Sequence, residues 1–124
     1  MTMILIVDDD IVVTSIIETI FSSLGYPTKT VPSIAQAKEY LFQDPNNLPT
    51  AAICDLNLHN ESGLDFMMYM KLTFPNLPFV LMSAETESQR AKQYPISPDA
   101  FLPKPFTVES IEALLSSLGI PRTE

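Results

Sequence analysis

The sequence has little cysteine, histidine or positive charge, and each shortage argues against a class of function. Cys54 is the only cysteine of the 124 residues, which leaves neither an intrachain disulfide nor a cysteine-based metal cluster. His59 is the only histidine, and a lone histidine makes a poor case for a transition-metal site. Seven basic residues against 15 acidic ones give a net charge of −8, which argues against direct nucleic-acid binding because phosphate backbones would be repelled.

Long apolar runs are also missing. None approaches the roughly 18 residues that a membrane-spanning helix needs, so we expect no membrane insertion. The first residues lack the basic segment and the cleavage site of a secretory signal, and we expect a cytoplasmic protein. The length and an apolar share of 46% indicate one globular domain over residues 1–124 with a well-formed core.

Short apolar runs that end in polar residues are the clearest pattern present. They are Ile4 to Val7 before Asp8 and Asp9, Ala51 to Cys54 before Asp55, Phe79 to Met82 before Ser83, and Ala100 to Leu102 before Lys104. Such runs are typical of buried parallel strands. Ligands bind at the carboxyl edge of open α/β sheets, so these polar side chains are expected to converge there.

Helical spacing of apolar residues separates the predicted strands. Helices are predicted over 11–24, 34–41, 64–74, 85–94 and 108–118, and the first, second and last begin after the capping residues Asp10, Ser33 and Thr107. A more polar run, Tyr26 to Val31, suits an exterior strand. Strands and helices that alternate in this way predict a parallel sheet with helices on both faces and right-handed crossovers.

Asp8, Asp9 and Asp55 would bring three carboxylates to the predicted edge. Oxygen ligands are those that Mg²⁺ prefers, and a divalent cation would relieve the repulsion between the clustered charges. A carboxylate is also a known nucleophile in aspartyl-phosphate chemistry. We therefore predict that this edge binds Mg²⁺ and that Asp55 accepts a phosphoryl group.

Three further residues could assist that chemistry. The Ser83 hydroxyl could donate a hydrogen bond to a phosphoryl oxygen, and the Lys104 ammonium could pair with another, or with Asp55 while the site is empty. The backbone carbonyl of Asn57, two residues past Asp55, could complete the metal shell because the chain must curl over the site there.

The ordered set Asp8-Asp9, Asp55, Ser83 and Lys104-Pro105-Phe106 resembles the receiver domain of two-component response regulators. The resemblance covers the chain from Met3 to the last predicted helix. Each motif is weak alone, but together and in this order they are highly specific. The resemblance implies a flavodoxin-like (βα)5 three-layer sandwich, with five parallel strands in the order 2-1-3-4-5.

The resemblance also implies a role for each site residue. Asp55 would take a phosphoryl group from a sensor histidine kinase or phosphotransfer protein. Direct Mg²⁺ ligands would be Asp9, Asp55 and the Asn57 carbonyl, with Asp8 acting largely through water. The remaining roles are phosphoryl binding for Lys104, a switch pair of Ser83 and Phe101, and tuning of the phosphoryl lifetime by Asn57 and Glu85. Because those two tuning residues are polar, we predict fairly rapid self-dephosphorylation.

The sequence departs from the family pattern at His59, where proline is common, and over residues 94–99. The second stretch belongs to the face that usually carries the signal, so the output partner and a possible homodimer stay open. The chain could be a stand-alone receiver or the N-terminal part of a longer protein.

Three alternatives remain at this point. A Mg²⁺-dependent phosphatase with an aspartyl-phosphate intermediate would want a second acid where Asn57 stands. A flavin-binding electron carrier would need a loop rich in Ser, Thr and Gly after the first strand, where the sequence is acidic. A phosphorylation-independent docking module would not need the complete acidic set. We expect no enzyme beyond autocatalytic phosphorylation and dephosphorylation of the aspartate.

Overall fold

The computed structural model describes residues 3–58, 61–84 and 95–120. Within these ranges the elements are, in chain order, β1 (Ile4–Val7), α1 (Ile11–Ser23), β2 (Thr28–Val31), α2 (Ile34–Gln43), β3 (Ala51–Asp55), β4 (Asn57–Leu58), β5 (Glu61–Ser62), α3 (Gly63–Thr73), β6 (Phe79–Ala84), β7 (Ala100–Lys104) and α4 (Val108–Ser117). The helix predicted over 85–94 lies outside the described residues. Among the described residues, no helix has both the length and the apolar character needed to cross a membrane.

Five strands form one parallel sheet in the order β2-β1-β3-β6-β7. The short strands β4 and β5 form a separate antiparallel ribbon. Once the ribbon is set aside, the order is the predicted 2-1-3-4-5, and the flavodoxin-like fold is confirmed. The exterior position predicted for β2 is also correct, although this strand begins at Thr28 because Tyr26 is buried with its ring edge-on to Phe21.

The sheet divides the core into two layers because successive side chains of a strand point to opposite faces. Ile4 and Ile6 of β1 belong to the cluster that contains residues of α1 and α4. Leu5 and Val7 belong to the cluster that contains residues of α2 and α3. Helices therefore cover both faces, as the alternating pattern predicts, and the domain has three layers.

The helix boundaries follow from capping residues. Asp10 accepts hydrogen bonds from the backbone amides of Val12 at 2.9 Å and Val13 at 3.3 Å, which starts α1 directly after the acidic pair. After α1, Gly25 adopts φ 88°, a left-handed conformation that glycine reaches without a steric cost. Ser33 and Thr107 cap α2 and α4, as predicted.

Two strands extend further than the sequence predicts. β6 continues to Ala84, so Ser83 lies inside the strand and not beyond its end. β7 continues through Pro103 to Lys104, which is possible because an edge strand tolerates proline on its unpaired side. Both extensions carry site residues towards the carboxyl edge of the sheet.

Candidate functional site

Three carboxylates meet at the carboxyl ends of β1 and β3. These strands are adjacent, and Val7 pairs with Cys54, so the residues that follow them, Asp8 and Asp55, stand level. Asp8 is 2% exposed and Asp55 7%, whereas Asp9 is exposed. One carboxylate oxygen from each of Asp8, Asp9 and Asp55 lies within 4.8 Å of the others. The predicted convergence is therefore present.

Asp8 is the most deeply buried of the three. Its Oδ1 accepts a hydrogen bond from the Asp10 amide at 2.9 Å, while Oδ2 is buried with no hydrogen-bond partner among the residues described. Burial raises the pKa of Asp8 from 3.8 to about 6; the Asp55 and Asp9 charges add to the rise, and the Asp10 amide and Lys104 oppose it. A buried, unpartnered oxygen beside two further carboxylates fits a cation, so this cluster could hold a metal ion.

Asp55 is held on both of its oxygens. Lys104 Nζ lies 3.2 Å from Oδ2, and the Asn57 amide donates to Oδ1 at 3.2 Å. Lys104 is the last residue of the edge strand β7 and reaches across β6 to make this ion pair. The predicted contact between the lysine and the aspartate is thus present.

The other predicted site residues are less closely grouped. Ser83 is buried and lies one residue beyond Met82, the partner of Asp55 in the neighbouring strand. Phe101 pairs with Leu81 further from the edge and is 37% exposed. Glu85 lies outside the described residues.

The chain after Asp55 turns at once into the ribbon of β4 and β5. Asn57 pairs with Ser62, and the Gly63 amide donates to the Leu56 carbonyl at 3.0 Å. A Cβ on Gly63 would collide with the Asp55 carbonyl oxygen and lie 2.9 Å from Leu56 Cα. Glycine at this position lets α3 start directly against the end of β3.

Comparison with known protein families gives the chain its classification. Residues 4–116 match the model of the response regulator receiver domain. The chain belongs to this family.

Relatives of this receiver domain include the response regulator MprA of Mycobacterium sp. (strain KMS), which is 28% identical over 116 residues. The match covers 93% of this chain and 49% of MprA, so the chain spans about half the length of the curated relatives it matches.

Solved structures share the fold. The chemotaxis response regulator CheY4 of Vibrio cholerae has a TM-score of 0.77 at 22% identity, covering 95% of this chain and 98% of CheY4. The receiver domain of NtrX from Brucella abortus has a TM-score of 0.78 at 23% identity, covering 95% of this chain and 99% of that one.

One contact of this receiver domain escaped the sequence analysis. The Glu61 carboxylate in β5 accepts a hydrogen bond at 3.1 Å from the backbone amide of Ile34, the first residue of α2. The two residues are 27 positions apart, and no local pattern joins them. The one sign of this contact in the sequence is that an acidic residue, Glu61, stands shortly before α3.

Proposed function

We propose that this receiver domain accepts a phosphoryl group on Asp55 in the presence of Mg²⁺ and thereby switches a protein-binding surface. The observation that carries the proposal is the carboxylate cluster with its ligand oxygens within 4.8 Å, joined to Lys104 through the 3.2 Å contact with Asp55. Family membership supports the same function over the phosphatase and the flavin carrier. The complete acidic cluster and its contact with Lys104 support it over the docking module.

The residues divide the chemistry between them. Asp8, Asp9, Asp55 and the Asn57 carbonyl would hold Mg²⁺, which when bound offsets the charge between an anionic nucleophile and an anionic donor. An Asp55 oxygen forms the new O–P bond while the P–N bond of a phosphohistidine donor breaks and its electron pair returns to the imidazole. Lys104 would leave its contact with Asp55 and pair with a phosphoryl oxygen, and Ser83 would donate a hydrogen bond to another.

A protein donor would need a surface beside the carboxylates. The first turns of α1 follow Asp10 directly and expose apolar side chains: Ile11 is 79% exposed and Val12 67%. Exposed apolar groups of this size, next to a charged site, favour a docking protein over a free small molecule. We propose a sensor histidine kinase or phosphotransfer protein as that donor.

The surface that responds to phosphorylation and binds a target would be a different face of the domain. Phosphorylation would shift an existing two-state equilibrium through Ser83, which is buried, and Phe101, which is 37% exposed. The target protein, or a second copy of the chain, would bind on the β7 side of the sheet.

The test is incubation with Mg²⁺ and acetyl phosphate, followed by intact-mass spectrometry. We expect one added phosphoryl group on the wild-type protein and none on Asp55→Asn or in the presence of EDTA. If the wild-type protein binds Mg²⁺ but gains no mass from acetyl phosphate or from a phosphorylated kinase, the phosphoacceptor proposal is wrong.

A further inference from the structure

The contact between Glu61 and Ile34 joins two parts of the chain that border the phosphorylation site. Glu61 lies in the ribbon of β4 and β5, which leaves Asp55 after a single residue. Ile34 opens α2, which follows β2 at the same edge of the sheet. The 3.1 Å hydrogen bond between them is a connection of the ribbon to a helix of the main fold.

The amino terminus of α2 explains why an acidic side chain is favourable at Glu61. The amino-terminal amides of a helix lack partners within the helix and carry a partial positive charge. Ser33 satisfies the Gln36 amide, and the first turn of α2 contains no acidic residue of its own. The Glu61 carboxylate supplies both the missing acceptor and a favourable negative charge.

The ribbon needs such an attachment because it is small. Each strand has two residues, and isolated pairs of this length have little stability of their own. Leu58 is buried in the core cluster against which Ile34 packs, so it anchors one strand. Glu61, which pairs with Leu58 across the ribbon, anchors the other strand.

We propose that Glu61 is a positioning residue for the metal site. By fixing the ribbon to α2, it holds the backbone of Asn57, and therefore the Asn57 carbonyl, where a Mg²⁺ ligand is needed. The proposal rests on the proposed function of that carbonyl. Glu61 itself contributes no ligand.

Three variants separate this role from general stability and from charge. Glu61→Ala removes the acceptor, Glu61→Gln keeps an acceptor oxygen without the charge, and Ser33→Ala weakens the same helix terminus without touching the ribbon. Mg²⁺ affinity is measured by calorimetric titration. Amide exchange at Asn57 and Gly63 is measured by NMR on the metal-free proteins.

We expect Glu61→Ala to bind Mg²⁺ about 10-fold more weakly, in the range found when residues that orient metal ligands are removed. The Asn57 and Gly63 amides should exchange faster in this variant even without metal. Glu61→Gln, which keeps the acceptor but loses the charge that strengthens the hydrogen bond, should lie between wild type and Glu61→Ala. Ser33→Ala should stay close to wild type in both measurements.

Other outcomes would overturn the proposal. Unchanged Mg²⁺ affinity in Glu61→Ala would exclude a positioning role. An equal loss in Ser33→Ala would assign the effect to helix stability. A loss of affinity in Glu61→Ala and Glu61→Gln without faster exchange of the Asn57 and Gly63 amides would assign it to charge acting through space. Failure of the proposed function is distinguishable: without a metal site the wild-type protein itself would bind no Mg²⁺, and without phosphoryl transfer it would bind Mg²⁺ but gain no mass from acetyl phosphate.

Discussion

Asp8 is the residue whose surroundings most oppose its charge. It is buried, it faces the charges of Asp55 and Asp9, and one of its oxygens has no hydrogen-bond partner within the described part of the chain. In the folded protein these effects raise the pKa of Asp8 to about 6 from an ordinary 3.8. The cluster could therefore hold a cation, and we expect the protein to be less stable without one.

This predicts a pH dependence of stability in EDTA. Between 3.8 and about 6 the folded state binds the Asp8 proton more tightly than the unfolded state does, so the free energy of unfolding falls as pH rises. The stabilisation that Asp8 provides by binding its proton more tightly in the folded state is complete below pH 3.8 and is lost above about pH 6. At about 1.4 kcal/mol per pH unit, this stabilisation amounts to about 3 kcal/mol. Urea denaturation of wild type and Asp8→Asn across this range measures it.

The Asn variant is the matched control because its side chain can still accept from the Asp10 amide. Without metal we expect Asp8→Asn to be the more stable protein above about pH 7, with the difference shrinking as pH falls towards 4. Parallel pH profiles for the two proteins would contradict the argument.

At the scale of elements, the junction of β3 with α3 depends on Gly63. A methyl group there would meet the Asp55 carbonyl oxygen and the Leu56 backbone, neither of which can move without displacing the proposed phosphorylation site. We expect Gly63→Ala to lower the free energy of unfolding by about 1–3 kcal/mol, as overpacking does. It should also weaken Mg²⁺ binding and slow phosphoryl uptake, measured by calorimetry and intact mass.

Gly119 offers a control for the cost of replacing a glycine. It has φ 71° and open space around its Cβ position, so Gly119→Ala is strained only through its backbone. A residue with a Cβ in this left-handed conformation costs about 1–2 kcal/mol. We expect Gly119→Ala to destabilise the domain while leaving Mg²⁺ binding and phosphoryl uptake unchanged; an equal loss of uptake in both variants would show that Gly63 acts only through stability.

At the scale of the whole molecule, the features that the sequence predicts are those determined by residues close together in the chain. The apolar runs before Asp8 and Asp55 identify buried strands and their ends, and the capping residues Asp10 and Ser33 fix helix starts. Once the strands are parallel, the convergence of the carboxylates follows from topology.

The features that could not be predicted are of two kinds. Some depend on contacts between residues far apart in the chain, and others are elements too short to show a periodic pattern of apolar residues. Two-residue strands such as Asn57–Leu58 have no alternation to detect, so the sequence pattern predicts no ribbon there. The Glu61 contact with Ile34 joins residues that only the finished fold brings together. The extension of β7 through Pro103 depends on its edge position, which a single strand does not reveal.

Metal binding at one edge should stabilise the whole domain. Asp8 follows β1 and Asp55 ends β3; these are adjacent interior strands of the sheet, and their side chains contribute to both core layers. An ion that joins the two strand ends therefore opposes global unfolding. At a Mg²⁺ concentration 100 times the dissociation constant, the expected gain is about 2.7 kcal/mol.

Urea denaturation at increasing Mg²⁺ measures this gain. We expect the midpoint to rise with an unchanged slope, because the surface exposed on unfolding stays the same. Asp9→Asn retains the fold, since Asp9 is exposed, but loses a carboxylate of the cluster, and its midpoint should respond much less to Mg²⁺. If Mg²⁺ slowed amide exchange only near residues 55–63 while the midpoint stayed constant, the edge would open independently of the two cores and the argument for global coupling would fail.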